Sequence, residues 1–192
     1  DSLKIAKTVN FGAQYGIGAP KLARQLLCSP EDAQVYLDAK KAAFSGFEAW
    51  RERVIREVHT KGYVRTLYGS YKHVFNRLFD ADPGMVGYLE RASVNYMIQG
   101  LCADYLKVVL TDIHHQQVLQ RHNVHLIAPI HDELVFSCSS RDAAAFICEV
   151  HDIMVQGIPG LPCPIWAEPS LGPNFGTQVE NGPWPTPELV EK

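Results

Sequence analysis

The sequence predicts an α+β fold, with a helical region over residues 1–87 and, over 88–192, an antiparallel sheet with covering helices. Three observations lead there. Up to residue 60 the apolar residues fall at helical spacing, between capping residues and Gly/Pro breaks. Glu90 to about Gln117 is one long helical stretch. Leu126–Ile130 and Leu134–Phe136 are short apolar runs around the polar tip His131-Asp132-Glu133, the pattern of a hairpin.

The elements follow in order. Leu3 to about Leu27 reads as a helix broken at Gly16-Ile17-Gly18-Ala19-Pro20. Ser29-Pro30-Glu31-Asp32 starts a second helix that runs toward Phe44, with Ser as N-cap and Pro at the first position. Ser45-Gly46 is a break, and Phe47–Thr60 is a helix with Trp50, Val54 and Val58 on its apolar side. Gly62–Gly69 alternates and turns like a short strand or hairpin, and Lys72, His73 and Arg77 make a basic segment. Asp82-Pro83-Gly84 is a loop and the expected domain boundary. In the long helix Val94, Ile98, Leu101 and Tyr105 form the apolar face. After the hairpin, Ser139-Ser140-Arg141-Asp142 caps a helix to about Gln156. Ile165-Trp166-Ala167-Glu168 is the expected last strand, and PWPTPELVEK reads as a tail.

Composition bounds the class. The chain has 192 residues, 46% hydrophobic and 20% charged, which suits one large domain or two small ones. No run has the apolar length of a membrane span, and Asp1–Asn10 has no apolar core of the kind a signal peptide needs. Asp1-Ser2-Leu3-Lys4 reads as helix interior, so the chain is expected to be a piece of a longer protein. Five Cys without a CxxC pair point to reduced thiols, an intracellular setting and no zinc site. The net charge of −3 divides unevenly: residues 1–87 carry 13 Lys+Arg against 9 Asp+Glu, or +4, and residues 88–192 carry 5 against 12, or −7. The first part suits a polyanion and the second suits cations.

Three constellations carry chemistry, each with a plainer reading beside it. Asp132 and Glu133 are either a solvated turn or hard oxygen ligands for magnesium or manganese. Lys7, Phe11 and Tyr15 share a helix face at i, i+4 and i+8, with Gly12 and Gly16 beside them. That face is either a core stripe with a snorkelling Lys, or a surface on which Lys meets phosphate and a ring stacks on a base. Arg91, Asn95 and Gln99 repeat the spacing as a stripe of hydrogen-bond donors. It is either a solvated face or a set of donors for the minor-groove acceptors that A·T and G·C pairs share.

Taken together, KTVNFGAQYG over Lys7–Gly16, RASVNYMIQG over Arg91–Gly100 and IHDEL over Ile130–Leu134 resemble, in order and spacing, motifs of the family A DNA polymerases. GYVRTLYG between them also fits. The resemblance covers nearly the whole chain. It implies a partial right-hand polymerase: part of a helical fingers subdomain over 1–87, and over 88–192 the C-terminal part of the palm with its carboxylate hairpin at 126–138. The implied reaction is template-directed addition of deoxynucleotides to a primer 3′ end by two-metal transfer, with magnesium, or manganese in its place.

The implied roles attach residue by residue. Lys7 contacts the nucleotide phosphates, Phe11 senses the sugar and disfavours dideoxynucleotides, and Tyr15 lies against the templating pair. Arg91, Asn95 and Gln99 track the primer-template minor groove, His131 lies near the primer end, and Arg65 touches DNA. Asp132 is a metal ligand with Glu133 in support. Two departures stand out. Leu3 replaces the Arg usual four residues before Lys7, which Lys4 partly replaces, and Ser70-Tyr71-Lys72 replaces a basic run. The family's second catalytic Asp has no counterpart here, since Asp104 and Glu168 do not match its motif. An upstream palm and thumb region, in the same chain or as a separate subunit, is therefore expected to complete the site. The setting implied is a bacterial or phage-infected cytoplasm, an organelle remaining open. The rival readings are a non-catalytic nucleic-acid-binding polymerase fragment and an unrelated metal-dependent phosphohydrolase built on the hairpin.

Overall fold

The computed structural model describes residues 2–14, 16–74, 78, 82–176 and 179–180, the side chains of 2–4, 11, 14 and 179–180 excepted. It divides into two compact units, Asp1–Leu101 and Cys102–Lys192. The division falls inside a long helix, Pro83–His115, which contributes residues to both.

The first unit opens with helices α1 (Ser2–Gln14) and α2 (Ala19–Leu26). The break between them is a defined stop. Gly16 takes φ +70°, its N–H donates to the Ala13 carbonyl, and the Ile17 N–H donates to the Gly12 carbonyl. These paired bonds satisfy carbonyls that the end of α1 would leave open. Helix α3 (Pro30–Ala43) starts as expected: Ser29 Oγ accepts from the Asp32 N–H at 3.0 Å, a cap that contributes about 1 kcal/mol. Helix α4 (Ser45–Lys61) follows almost without interruption. The break lies at Phe44, whose backbone leaves helical geometry (φ −118°, ψ 45°), and Ser45-Gly46 belong to the first turn of α4. The short strands β1 (Tyr63–Arg65) and β2 (Tyr71–His73) then pair antiparallel.

Helix α5 runs from Pro83 to His115. It begins seven residues before the expected Glu90, so Asp82-Pro83-Gly84 is a helix start where a loop was expected. Asp82 Oδ1 accepts from the Gly84 N–H at 2.8 Å and the Met85 N–H at 3.0 Å, and Pro83 at the first position has no N–H to leave unpaired. Two apolar clusters hold this unit. Val9, Leu22, Ala23 and Ala33 join α1, α2 and α3. Val54, Val58, Val64, Val74, Leu89 and Val94 join α4, the hairpin and α5. Each fully buried Val or Leu stabilises by about 1.5–3 kcal/mol. Of the apolar face expected on α5, Val94 and Tyr105 are buried, and Ile98 and Leu101 half-buried.

The second unit holds the remainder of α5, helix α6 (Val118–Arg121), strands β3 (His125–Ile130) and β4 (Glu133–Ser137), helix α7 (Ala143–Met154) and the strands β5 (Ser170–Leu171) and β6 (Val179–Glu180). Strands β3 and β4 pair antiparallel with a register shift between Leu126 and Ala128, and β5 pairs with β6. Helix α7 buries Ala143, Phe146, Val150 and Ile153 at helical spacing. Tyr105 Oη donates to the Met154 carbonyl at 2.9 Å and accepts from the Gly157 N–H at 3.1 Å, tying α5 to the end of α7.

Two expectations are corrected here. Residues 165–168 form no strand; the paired strand starts at Ser170. Pro164 and Pro169 bracket the segment, remove ladder donors and restrict their neighbours, and Trp166 is 84% exposed. Strand β3 is also less buried than its composition suggested: Ile127 is 63% exposed and Leu126 and Ile130 are 36% exposed. Arg77 and the PWPTPELVEK tail lie outside the described residues.

Candidate functional site

In the first unit the decisive element is the N-terminal half of α5. Arg91 and Gln99 are exposed and Asn95 between them is half-buried. Asn95 Oδ1 is fully buried and has no hydrogen-bond partner among the described residues. An unpaired buried amide oxygen costs about 1–3 kcal/mol.

Arg91 is held by glycines. A Cβ built on Gly16 would stand 2.8 Å from Arg91 Cδ, and one on Gly87 would stand 3.1 Å from Arg91 Nη1. A side chain at Gly16 would displace Arg91 and one at Gly87 would shift its guanidinium by a few tenths of an ångström, and at Gly16 the positive φ separately favours glycine. The C-terminal stop of α1 and the start of the Arg91/Asn95/Gln99 stripe thus form one packed surface.

Lys7 lies exposed on α1. The side chains of Lys4 and Phe11, and the whole of Tyr15, lie outside the described residues. Arg65 sits on the solvent face of the β1–β2 hairpin, its guanidinium 5.3 Å from the Tyr71 ring centre. Lys72 points the other way, with Nζ 5.4 Å from the centre of the Tyr96 ring, and Tyr96 Oη donates to the Tyr71 carbonyl at 3.2 Å. Those contacts fasten the hairpin to α5.

In the second unit the carboxylate hairpin forms, with a shorter tip than expected. Glu133 opens β4 and pairs with Ile130, so the turn is His131-Asp132 alone. His131 takes φ +53°, a conformation His adopts more readily than most residues. His131, Asp132 and Glu133 are all exposed. Asp132 and Glu133 stand at one edge of a groove of about 500 Å³, with Phe146 and Val150 of α7 and Glu168 also lining it. Phe136 packs edge-on against Phe146 at 4.9 Å. The field of Asp132 also reaches Cys102 on α5: burial first, then the Asp132 charge, raise that thiol's pKa.

The donor chemistry at the tip fits a hard divalent cation, but the number of ligands falls short. Among the described residues no group of three or more His, Cys, Asp or Glu side chains is placed to hold a metal. Asp132, Glu133 and Glu168 border one groove without converging on one point. A magnesium ion takes six oxygen ligands and keeps several as water, so the described carboxylates would make up only part of such a set.

Comparison with known proteins places this geometry. The model of DNA polymerase family A matches residues 2–177. The chain belongs to DNA polymerase family A. It is similar to the thermostable DNA polymerase I of Thermus filiformis, 31% identical over 169 residues that make up 88% of this chain and 20% of that protein. The DNA polymerase I of Streptococcus pneumoniae is 30% identical over 170 residues, 87% of this chain and 19% of that one. Among solved structures, the POL domain of Pol1 from M. smegmatis, in complex with DNA primer-template and dNTP, superposes with a TM-score of 0.75. It is 27% identical and covers 85% of this chain and 28% of that chain. The chain thus spans about a fifth of the length of the curated relatives it matches.

For a family A chain, two features escaped the motif reading. Gly87 carries no motif signal, and its part in seating Arg91 follows only from the one-turn spacing 87/91. Glu168, set aside because it does not match the motif of the second catalytic Asp and expected within a strand, lines the hairpin groove; an acid between Pro164 and Pro169 is the available signal.

Proposed function

We propose that this chain is the fingers and later-palm portion of a DNA-directed DNA polymerase, which adds deoxynucleotides to a primer 3′ end on a template. Residues 1–87 are part of the fingers and 88–192 the C-terminal part of the palm. What carries the reading is the seating of Arg91 on Gly16: it joins the end of the α1 motif to the α5 stripe on one surface. The unpaired Asn95 oxygen adds to it, since a buried polar atom without a partner suits a ligand that completes it.

In this reading Arg91, Asn95 and Gln99, with Arg65 on the neighbouring hairpin, hold primer-template DNA. Donors aimed at the minor-groove acceptors that A·T and G·C pairs share read no sequence, which suits an enzyme that copies any template. Lys7, with Lys4 beside it, neutralises triphosphate oxygens; Phe11 meets the sugar and Tyr15 the templating pair. His131 lies by the primer end. Asp132, with Glu133 in support, would hold magnesium, or manganese in its place. When bound, such ions activate the primer hydroxyl and stabilise charge on the phosphates. The chain's own residues align hydroxyl and α-phosphorus and steady the leaving pyrophosphate. Because the described residues bring only part of a ligand set together, a second catalytic Asp would come from an upstream palm strand or a separate subunit. The setting that fits is intracellular. Among the described residues no helix is long and apolar enough to cross a membrane.

The test is primer-template binding and single-nucleotide extension, with the chain alone and with an upstream palm–thumb polypeptide added. Extension by the mixture supports the reading. Salt-dependent DNA binding that never leads to extension supports a non-catalytic binding role in its place, a reading the short ligand set favours.

A further inference from the structure

A cavity of about 230 Å³ lies in the first unit between the α1–α2 loop and helices α3 and α4. Gly16, Ile17 and Gly18 form one wall, and Lys40, Lys41 and Arg51 come from the other side. Glu48 is the carboxylate there, and it is engaged: Arg51 Nε donates to Glu48 Oε2 at 3.0 Å. Lys40 Nζ donates to the Asn10 carbonyl at 3.1 Å and lies 5.6 Å from the Phe47 ring centre. Neither Lys40 nor Lys41 has a carboxylate within ion-pair distance among the described residues. With the Arg51–Glu48 pair neutral, the lining keeps two positive charges. Burial lowers the Lys40 pKa, with Glu48 acting in the opposite sense.

The loop wall favours the same sign of ligand. Helix α2 starts at this wall with no side-chain cap on Gly18 and no acid in its first turn, so its positive end is uncompensated. A Cβ on Gly18 would meet nothing closer than 3.8 Å, so the bare backbone lets a bulky oxyanion approach. An ammonium drawn into a half-enclosed space, where the one nearby carboxylate is already paired with Arg51, is stabilised by an anion entering beside it.

We infer that this cavity is a phosphate-binding site, held by Lys40 and Lys41 against the Gly16–Gly18 loop and built on residues other than Arg91, Asn95 and Gln99. The phosphate belongs to the backbone of single-stranded nucleic acid or to free pyrophosphate. The first source rests on the proposed polymerase reading; the second does not.

The experiment uses the full 192-residue chain and three variants. Lys41→Gln removes an exposed charge and Lys40→Met a half-buried one. Lys61→Gln is the control, a lysine outside the cavity and paired with Glu57 at 2.6 Å. Calorimetry measures pyrophosphate binding, and fluorescence anisotropy measures a labelled thymidine oligonucleotide with pyrophosphate as competitor. The site predicts pyrophosphate binding that Lys41→Gln weakens about tenfold and Lys61→Gln leaves unchanged. If nucleic acid is the source, pyrophosphate competes with the oligonucleotide, and Lys41→Gln flattens the salt dependence by about one phosphate contact. Lys41-dependent pyrophosphate binding without oligonucleotide binding keeps the site and removes the nucleic-acid reading. Oligonucleotide binding unchanged in both lysine variants, with no pyrophosphate binding, overturns the site and leaves the nucleic-acid reading standing.

Discussion

The Arg91 side chain lies across the backbone of Gly16: a Cβ on that glycine would stand 2.8 Å from Arg91 Cδ and 3.0 Å from Cγ. Gly16 also holds φ +70° to stop α1. One residue thus ends a helix and seats an arginine. Gly16→Ala is expected to cost about 1–2 kcal/mol through its left-handed backbone, and to weaken primer-template binding about as much as Arg91→Ala. Gly46→Ala, in the first turn of α4 with open space around it, is the control. Urea unfolding and DNA anisotropy on the same three proteins check both halves, and full-strength DNA binding by Gly16→Ala would contradict the seating role.

Asn95 separates stability from binding. Its buried Oδ1 is unpaired, so Asn95→Leu, similar in size and without the orphan oxygen, is expected to leave the free chain as stable or more stable. The same change is expected to weaken primer-template binding. A loss of stability without a loss of DNA affinity would assign Asn95 to packing.

Tyr105→Phe removes one hydroxyl that serves two backbone groups, the Met154 carbonyl and the Gly157 N–H. The expected destabilisation is about 1–3 kcal/mol, measured by chemical unfolding. An unchanged unfolding midpoint would mean that solvent replaces both bonds.

Acid sensitivity should centre on Glu149. It accepts hydrogen bonds from Arg121 and, at 2.7 Å, from His122. Those bonds, Arg121 first, hold its carboxyl below the ordinary carboxylate value. A folded-state pKa lowered in this way contributes stability above the unfolded value of about 4.3, and the contribution is lost as pH falls through the lower folded value. Wild type and Glu149→Gln should therefore differ in unfolding midpoint near neutral pH and converge once pH falls below the lowered folded value. A constant gap between them would remove Glu149 from the acid response.

Phe11 implies discrimination against dideoxynucleotides through the motif it shares with the family. Phe11→Tyr in the complete polymerase is expected to ease their incorporation, read as chain-terminator sensitivity. Unchanged sensitivity would detach Phe11 from the sugar.

Legibility followed the range of the interaction. Ser29-Pro30 gave away the start of α3 because a cap and its helix are neighbours in sequence. The hairpin was visible because its two runs flank a short tip. Asp82-Pro83-Gly84 misled because Asp and Pro serve a turn and a helix start equally well, and only the long-range burial of Leu89 and Val94 decides between them. Ile165–Glu168 misled because apolar composition outweighed the prolines at 164 and 169. The Gly16–Arg91 contact and the Lys40/Lys41 cavity could not be read, since nothing local to either partner records what lies opposite.

Single-nucleotide primer extension with magnesium tests whether the hairpin carboxylate carries the chemistry. It compares the chain with its Asp132→Ala variant, each supplied with an upstream palm–thumb polypeptide. One added nucleotide is expected with the unaltered chain and none with Asp132→Ala, while both bind primer-template through Arg91, Asn95 and Gln99. Retention of most of the extension by Asp132→Ala would contradict this expectation and take the chemistry away from the hairpin.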